Sequence, residues 1–507
     1  MLIWILAFLP LLLILFFMTV LHWNAARAGT AGWLAAVLIA RFVFHAQLDV
    51  LLAAHLKAVF IIIDVLLIVW GAFLLYRVTD EAGAIQSLAD TLPQLTKDRA
   101  RQALLIGWVF ATFLQGVGGF GVPVAITAPL LVRLGFSQQK SFLIPSIGHG
   151  WAVTFGSLAL SFYALVAASG LPGETLVGSS ALLLGSTGLL AGFQITHCTG
   201  GWSAVRRLFV EILLIGASMA AILTVLASLG LWSSASFGGG LAGLVTAMFL
   251  FRQSKTDAES QPSIKAFLPG LVPYLILIII IAVVQYWQPL RDLLSVPVLG
   301  ADFQQVETGR GFITQAGRSR EVYLLRHTGT MLGYASLISY IYFKQKGAYQ
   351  SGEVGRILND TLRGVVPSSL GIIAAVAMAL VMSHAGMIDT LAKGIASSTG
   401  ALFPAASPWI GALGAVITGS NTNSNVIFAS LQQQTAQLLG INVVLILAAQ
   451  TAGGAVGSVI APSKIIVGAS TSGLAGREGQ LMKALLKPIG LQLLFISITV
   501  FLLSALI

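Results

Sequence analysis

The stretch "GSNTNSN" (419–425) sets Ser420, Asn421, Thr422, Asn423, Ser424 and Asn425, six consecutive amide and hydroxyl side chains, directly after the apolar run "PWIGALGAVIT" (408–418). Turn chemistry accounts for any one Asn or Ser, but not for six in a row at membrane depth, where polar groups are tolerated only against protein or a water-lined cavity. That the depth is membranous follows from composition: of 507 residues, 57% are hydrophobic and 9% charged, with a mean hydropathy of +0.90. This excludes an ordinary soluble domain. Apolar runs near the roughly 20 residues that cross a bilayer recur from end to end, so the chain reads as an all-α polytopic membrane protein with no soluble domain of any size.

A second interruption, "QGVGGFG" (115–121), splits the apolar segment 102–134 into halves too short to cross alone, which predicts a re-entrant hairpin. Two further apolar segments are interrupted at "SIGHG" (146–150) and "TAGGAVG" (451–457), and both read as broken helices. The features repeat in order. "AGAIQSLA" (82–89) matches "AGMIDTLA" (385–392), and "QGVGGFG" meets the polar stretch of the opening. Six basic residues (Arg77, Lys97, Arg99, Arg101, Arg133, Lys140) border the first copy and Lys393 alone the second, so the positive-inside rule inverts the copies. Arg206 and Arg207, then Arg252, Lys255 and Lys265, then Lys344, Lys346, Arg356 and Arg363 fall on the same, cytoplasmic side. The loop 288–321, with Arg291, Arg310, Arg318 and Arg320, falls outside. The expected architecture is about twelve spans and two opposed hairpins in an inverted repeat, elevator-like, with both termini outside. Residues 1–76 and 196–364 read as scaffold, and 77–195 and 365–507 as two repeat cores; within the first, the charged stretch 77–101 reads as an interfacial helix.

Breaks of this kind expose half-helix N-termini to anions and freed oxygens to coupling ions. The candidate site residues are therefore Gln115, Gly118, Gly119, Phe120, Gly121, Gly148, His149, Gly453 and Gly454, the six polar residues 420–425, and Gln450 and Thr451 entering the second break. Each glycine serves a close backbone approach or helix packing equally well. His149 either bonds a substrate or proton or makes a structural hydrogen bond. Lys464, within "VIAPSKIIVG" (459–468), either snorkels to the interface or is the counter-charge of an anion. Sodium suits the neutral oxygens near Asn421, Thr422 and Asn423; no other metal site and no cofactor is expected, and scattered Lys and Arg argue against nucleic acid. Asp49 and Asp64 read as scaffold packing.

In "FLQGVGGFGVPVAITAPLLVRLGF" (113–136) and from "GAVITGSNTNSN" to "GLAGREG" (414–479) the chain resembles the L-lactate permease family of bacterial secondary transporters. The resemblance implies a multi-pass protein of the bacterial cytoplasmic membrane that imports a small organic anion, L-lactate, glycolate or a related 2-hydroxy monocarboxylate, normally with protons. It also implies an acid where Gln115 stands, an aspartate at Asn421, an Asn-Thr pair at His149 and Gly150, and a lysine at Ser458, six residues before Lys464. Two carboxylates that would carry the proton are thus amides here, which leaves H+ and Na+ both open as the coupling ion. A passive anion uniporter or channel, or a sodium-coupled carrier of another carboxylate or sulfonate, stands as the alternative; an intramembrane hydrolase finds no paired nucleophile and base. A homodimer remains open as the assembly.

Overall fold

The computed structural model describes residues 2–21, 23–119, 121–252, 268–319 and 321–506; Phe120, Lys255, Lys265 and Arg320 lie outside the described residues. Helices α1 (Leu2–Thr19), α2 (Ala25–Phe42) and α3 (Leu48–Glu81) lead to a short α4 (Ala84–Thr91). Asp98 then caps α5 (Arg99–Leu104) by accepting from the backbone N–H groups of Ala100 and Arg101, and a π-helical stretch, Leu105–Phe110, carries it into α6 (Ala111–Val117). After the glycine break come α7 (Val122–Arg133), α8 (Gln138–His149), α9 (Gly156–Ser169), α10 (Gly173–Arg207), α11 (Phe209–Ser228), α12 (Trp232–Arg252), α13 (Leu268–Tyr286) and α14 (Gln288–Leu293). Six two-residue strands between 298 and 323 pair antiparallel, outermost with outermost, as one long interrupted hairpin. The chain closes with α15 (Thr328–Gln345), α16 (Glu353–His384), α17 (Met387–Thr399), α18 (Phe403–Thr418), α19 (Asn421–Leu439), α20 (Val443–Gly457), α21 (Pro462–Ser472) and α22 (Glu478–Leu506).

Among the described residues, nine helices are long and apolar enough to cross a membrane, or ten if the pair α8 and α9, bent by 45°, forms one span. This is an all-α polytopic membrane protein. Element starts recur at a near-constant distance: α2 and α15 begin at 25 and 328, 303 apart; α4 and α17 at 84 and 387, again 303; α8 and α20 at 138 and 443, and α10 and α22 at 173 and 478, both 305. Packing is reciprocal as well, since α2 lies on α16 and α15 on α3, while α7 lies on α21 and α19 on α9. One end of the molecule is bound by the ion pairs Arg101–Glu211 (2.7 Å), Arg207–Asp98 (2.5 Å) and Arg356–Glu81 (2.7 Å). At the opposite end the strand hairpin covers the α2–α3 turn, where the Gly309 N–H donates to His45 O at 2.9 Å.

Three boundaries differ from the sequence reading. Residues 77–101 do not make one interfacial helix: α3 runs on to Glu81, and Asp98 caps α5 at Arg99, so the helical segment before the glycine break starts three residues earlier than the expected 102. The first break falls after "SIGHG", because α8 continues through Gly148, whose bare Cα is pressed so close to α5–α6 that a Cβ would stand 1.9 Å from Gly107 O. The second break is not at "TAGGAVG", which is unbroken helix; there Gly453 lets α20 touch α18, a Cβ meeting Pro408 O at 2.0 Å. Glycine serves packing in both places. The real break is at Ala461, extended at ψ 132° because Pro462 follows.

Candidate functional site

A cavity of about 250 Å³ lies where the α18–α19 tip, the α20–α21 break, the α8–α9 break and the end of α6 converge. Two helix N-termini open onto it. Gly419 ends α18 in the left-handed conformation and Ser420 turns extended, so that its hydroxyl caps α19 by accepting from the Asn423 N–H at 3.4 Å. Asn421 and Thr422, the first residues of α19, line the cavity, as do Ser463 and Lys464 in the first turn of α21. The first N–H groups of a helix have no partner within it and carry the positive end of its dipole.

The facing wall comes from α9 and α6. Ser157, Leu158 and Ala159 hold φ of 48°, 56° and 66°, a left-handed turn made wholly of non-glycine residues. It brings Val153, Ser157, Leu160 and Ser161 to the cavity, and Ser161 Oγ lies 3.0 Å from Thr422 Oγ1, joining the two walls. Gly119, at φ +57°, passes so close that a Cβ would stand 1.7 Å from Ser157 Oγ. Gln115 completes this side from α6.

Behind the lining is a layer of amides and hydroxyls. Asn421 Nδ2 donates to Thr154 Oγ1 (3.2 Å) and Thr451 Oγ1 (3.3 Å). Asn425 Nδ2 donates to Thr451 Oγ1 and to Ser161 O, both at 2.9 Å. Gln450 Nε2 reaches Ser424 Oγ at 3.0 Å, and Gln450 Oε1 accepts from Gln432 Nε2, which also donates to Ser407 O. The network fixes the tip through donors, leaving the buried acceptors Asn421 Oδ1 and Gln115 Oε1 unmatched beside the cavity. An unmatched buried acceptor is costly until a donor arrives.

Of the residues expected from sequence, Gln115, Ser420, Asn421, Thr422 and Lys464 meet in the cavity lining. Ser424, Asn425, Gln450 and Thr451 stand one layer behind as supports; Gln450 and Thr451 lie within unbroken α20 rather than in a break. Asn423 is buried with an unmatched Oδ1 but is outside the lining. Gly118 packs near the Tyr76 ring and Gly121 near Val467, and Gly454 gives room to Asn421 Oδ1. His149 ends α8, buried, with Nδ1 2.6 Å from Pro145 O and Nε2 unmatched. Lys464 lines the cavity, and its Nζ donates to Ser458 Oγ at 2.8 Å. The resemblance leads one to expect a lysine at Ser458, so the ammonium is delivered to that neighbourhood from the next helix. Sequence reading missed Val153, Ser157, Leu160, Ser161, Ser463 and Val467, none of which carries a composition signal.

Comparison with known proteins agrees over nearly the whole length. The family model described as L-lactate permease matches residues 4–507. The chain is 27% identical to the glycolate permease GlcA of Escherichia coli, over 95% of this chain and 92% of that protein. It is 28% identical to the L-lactate permease of Bacillus subtilis, over 98% and 95% respectively, and 27% identical to that of Salmonella typhimurium, over 95% and 92%. A cavity at the meeting of broken helices is thus found in a membrane transporter, and the chain belongs to the L-lactate permease family.

Proposed function

We propose that the protein imports a small 2-hydroxy monocarboxylate, L-lactate or glycolate, by symport with a cation, H+ or Na+, across the bacterial cytoplasmic membrane. The observation that carries this is the convergence of two helix N-termini and the Lys464 amine on a single cavity, with unmatched acceptors at Asn421 and, on the facing wall, Gln115. N-termini and ammonium suit a carboxylate. Asn421 Oδ1 and Gln115 Oε1 suit the hydroxyl that a 2-hydroxy acid donates and a plain carboxylate lacks. At about 250 Å³ the cavity is below the range of roughly 300–1,000 Å³ that holds drug-sized ligands, which favours a small solute. The names of the curated relatives, lactate and glycolate permeases, agree.

The transport movement is read from the repeat. Matching helix starts, reciprocal packing, and the positions of α4 at the arginine-rich end and α17 near the strand hairpin support two inverted copies, with about twelve spans and two opposed re-entrant hairpins. The arginine-rich end is then cytoplasmic. Residues 77–195 and 365–507 move as the binding core against a scaffold of 1–76 and 196–364, exposing the cavity to either side in turn. Purified protein in liposomes tests the reading: labelled lactate or glycolate should accumulate beyond equilibrium under an imposed proton or sodium gradient. Uptake that only equilibrates would show a passive uniporter, and no uptake of any small carboxylate would sink the proposal.

A further inference from the structure

We propose that Lys464 binds the substrate carboxylate and the coupling proton together, so that the anion and H+ load and leave this carrier as a pair. The inference rests on the transport reading above and deepens it. Proton symport needs a group whose protonation changes within the cycle, and among the described residues the cavity lining contains no Asp or Glu. Lys464 is the titratable side chain in that lining, and its hydrogen-bond partner, Ser458 Oγ, is neutral.

The helices packed on α21 are α7, α8 and α22. From α8 the groups are His149, whose Nδ1 lies 2.6 Å from Pro145 O, and Lys140, which at the other end of that helix reaches Thr199 O at 3.5 Å. From α7, Arg133 pairs with Asp90 at the molecular end. From α22, Glu478 accepts from the Gly476 N–H at 2.9 Å, while Lys483 and Lys487 are exposed. Tyr163 of α9 directs its hydroxyl to Thr328 Oγ1 at 2.9 Å. No acid from these elements stands in the cavity with Lys464, so the anion that can balance an ammonium there is the substrate.

Proton and anion binding are then linked: each proton held by Lys464 strengthens carboxylate binding, and the bound carboxylate strengthens the hold on the proton by the same factor. On the outer side, Lys464–NH2, H+ and RCOO− combine to Lys464–NH3+ paired with RCOO−. On the inner side the same pair separates, the N–H bond giving its proton to water as the anion leaves. One proton and one anion cross per cycle with no net charge, and the empty carrier returns neutral.

Two measurements decide it. In detergent, lactate added to the wild-type protein in weakly buffered solution above neutrality should draw up to one proton per anion bound; anion binding with no proton taken up overturns the proposal, and this does not depend on turnover or on any variant. In liposomes, wild-type accumulation should follow the pH gradient and ignore membrane potential. Lys464→Arg, which keeps the charge but cannot release it, should lose about tenfold or more of the pH-driven accumulation and make any remaining uptake sensitive to potential. Undiminished pH-driven accumulation by Lys464→Arg refutes the assignment. Accumulation driven by sodium alone refutes it too while leaving the transport reading intact, whereas wild-type protein that moves no carboxylate marks the failure of that reading instead.

Discussion

Asn421 is anchored entirely through its amide nitrogen, which donates to Thr154 and Thr451, while its oxygen is buried against Gly454 with no hydrogen-bond partner. An apolar side chain of similar size at this position cannot make either donation. Asn421→Leu therefore gives up two hydrogen bonds of about 1 kcal/mol each and leaves the tip without its tie to Thr154 and Thr451. The KM for lactate should rise about thirtyfold or more, measured as initial uptake rates in liposomes; an unchanged KM would remove Asn421 from the site. That this stretch would be buried among polar partners was legible in the sequence, since turn chemistry alone does not call for six polar side chains after an apolar run. The opposite wall was not. Ser157 and Ser161 lie in an ordinary apolar-looking segment, and nothing in their identity announces that they face the tip.

The elements explain that blindness. Left-handed backbone is usually advertised by Gly or Asn, but here Ser157, Leu158 and Ala159 adopt it under tertiary constraint, with the Phe162 N–H bridging back to Thr154 O at 3.1 Å. Glycines, conversely, suggested breaks at 146–150 and 451–457 and turned out to let α8 and α20 press against their neighbours. In buried membrane helices a glycine reports contact at least as often as interruption, whereas proline at 462 marks its break faithfully. The left-handed turn carries a cost of about 1–2 kcal/mol per L-residue. Ala159→Gly should recover roughly 1 kcal/mol of it and raise the thermal midpoint of the purified protein. A lowered midpoint would mean that the Ala159 methyl, fully buried, contributes more by packing than the backbone loses.

At the scale of the molecule, span order and the crowding of positive charge at one end were readable from the chain, and the sidedness they imply can be checked directly. With the single cysteine Cys198 replaced, Gln305→Cys in the strand hairpin should react with an impermeant maleimide in intact cells, and Gln345→Cys at the end of α15 only in inverted vesicles. The same label on both would reject the orientation. The arginine-rich end also supplies a control for pH work. Burial pushes the Asp98 carboxyl up, but its bond to Arg207 and the N–H groups of Arg101 and Ala100 outweigh this and hold it below the usual carboxylate value of about 3.9. A depressed carboxyl gives stability that is present above that unfolded value and lost only as pH falls through the lower folded one. Between pH 5 and 8, about where transport would be assayed, the Asp98 cluster should add no slope to thermal stability, so a pH dependence of uptake there must arise elsewhere. Finally, α7 lies on α21 and α19 on α9: each half of the chain walls the broken helix of the other. The cavity is therefore the joint property of both halves, and a lone half would enclose none. Under the inverted-repeat proposal, an ancestor of half this length would have worked as an antiparallel pair of identical chains, and changes to one half's arm must be tolerated by the other half's helix.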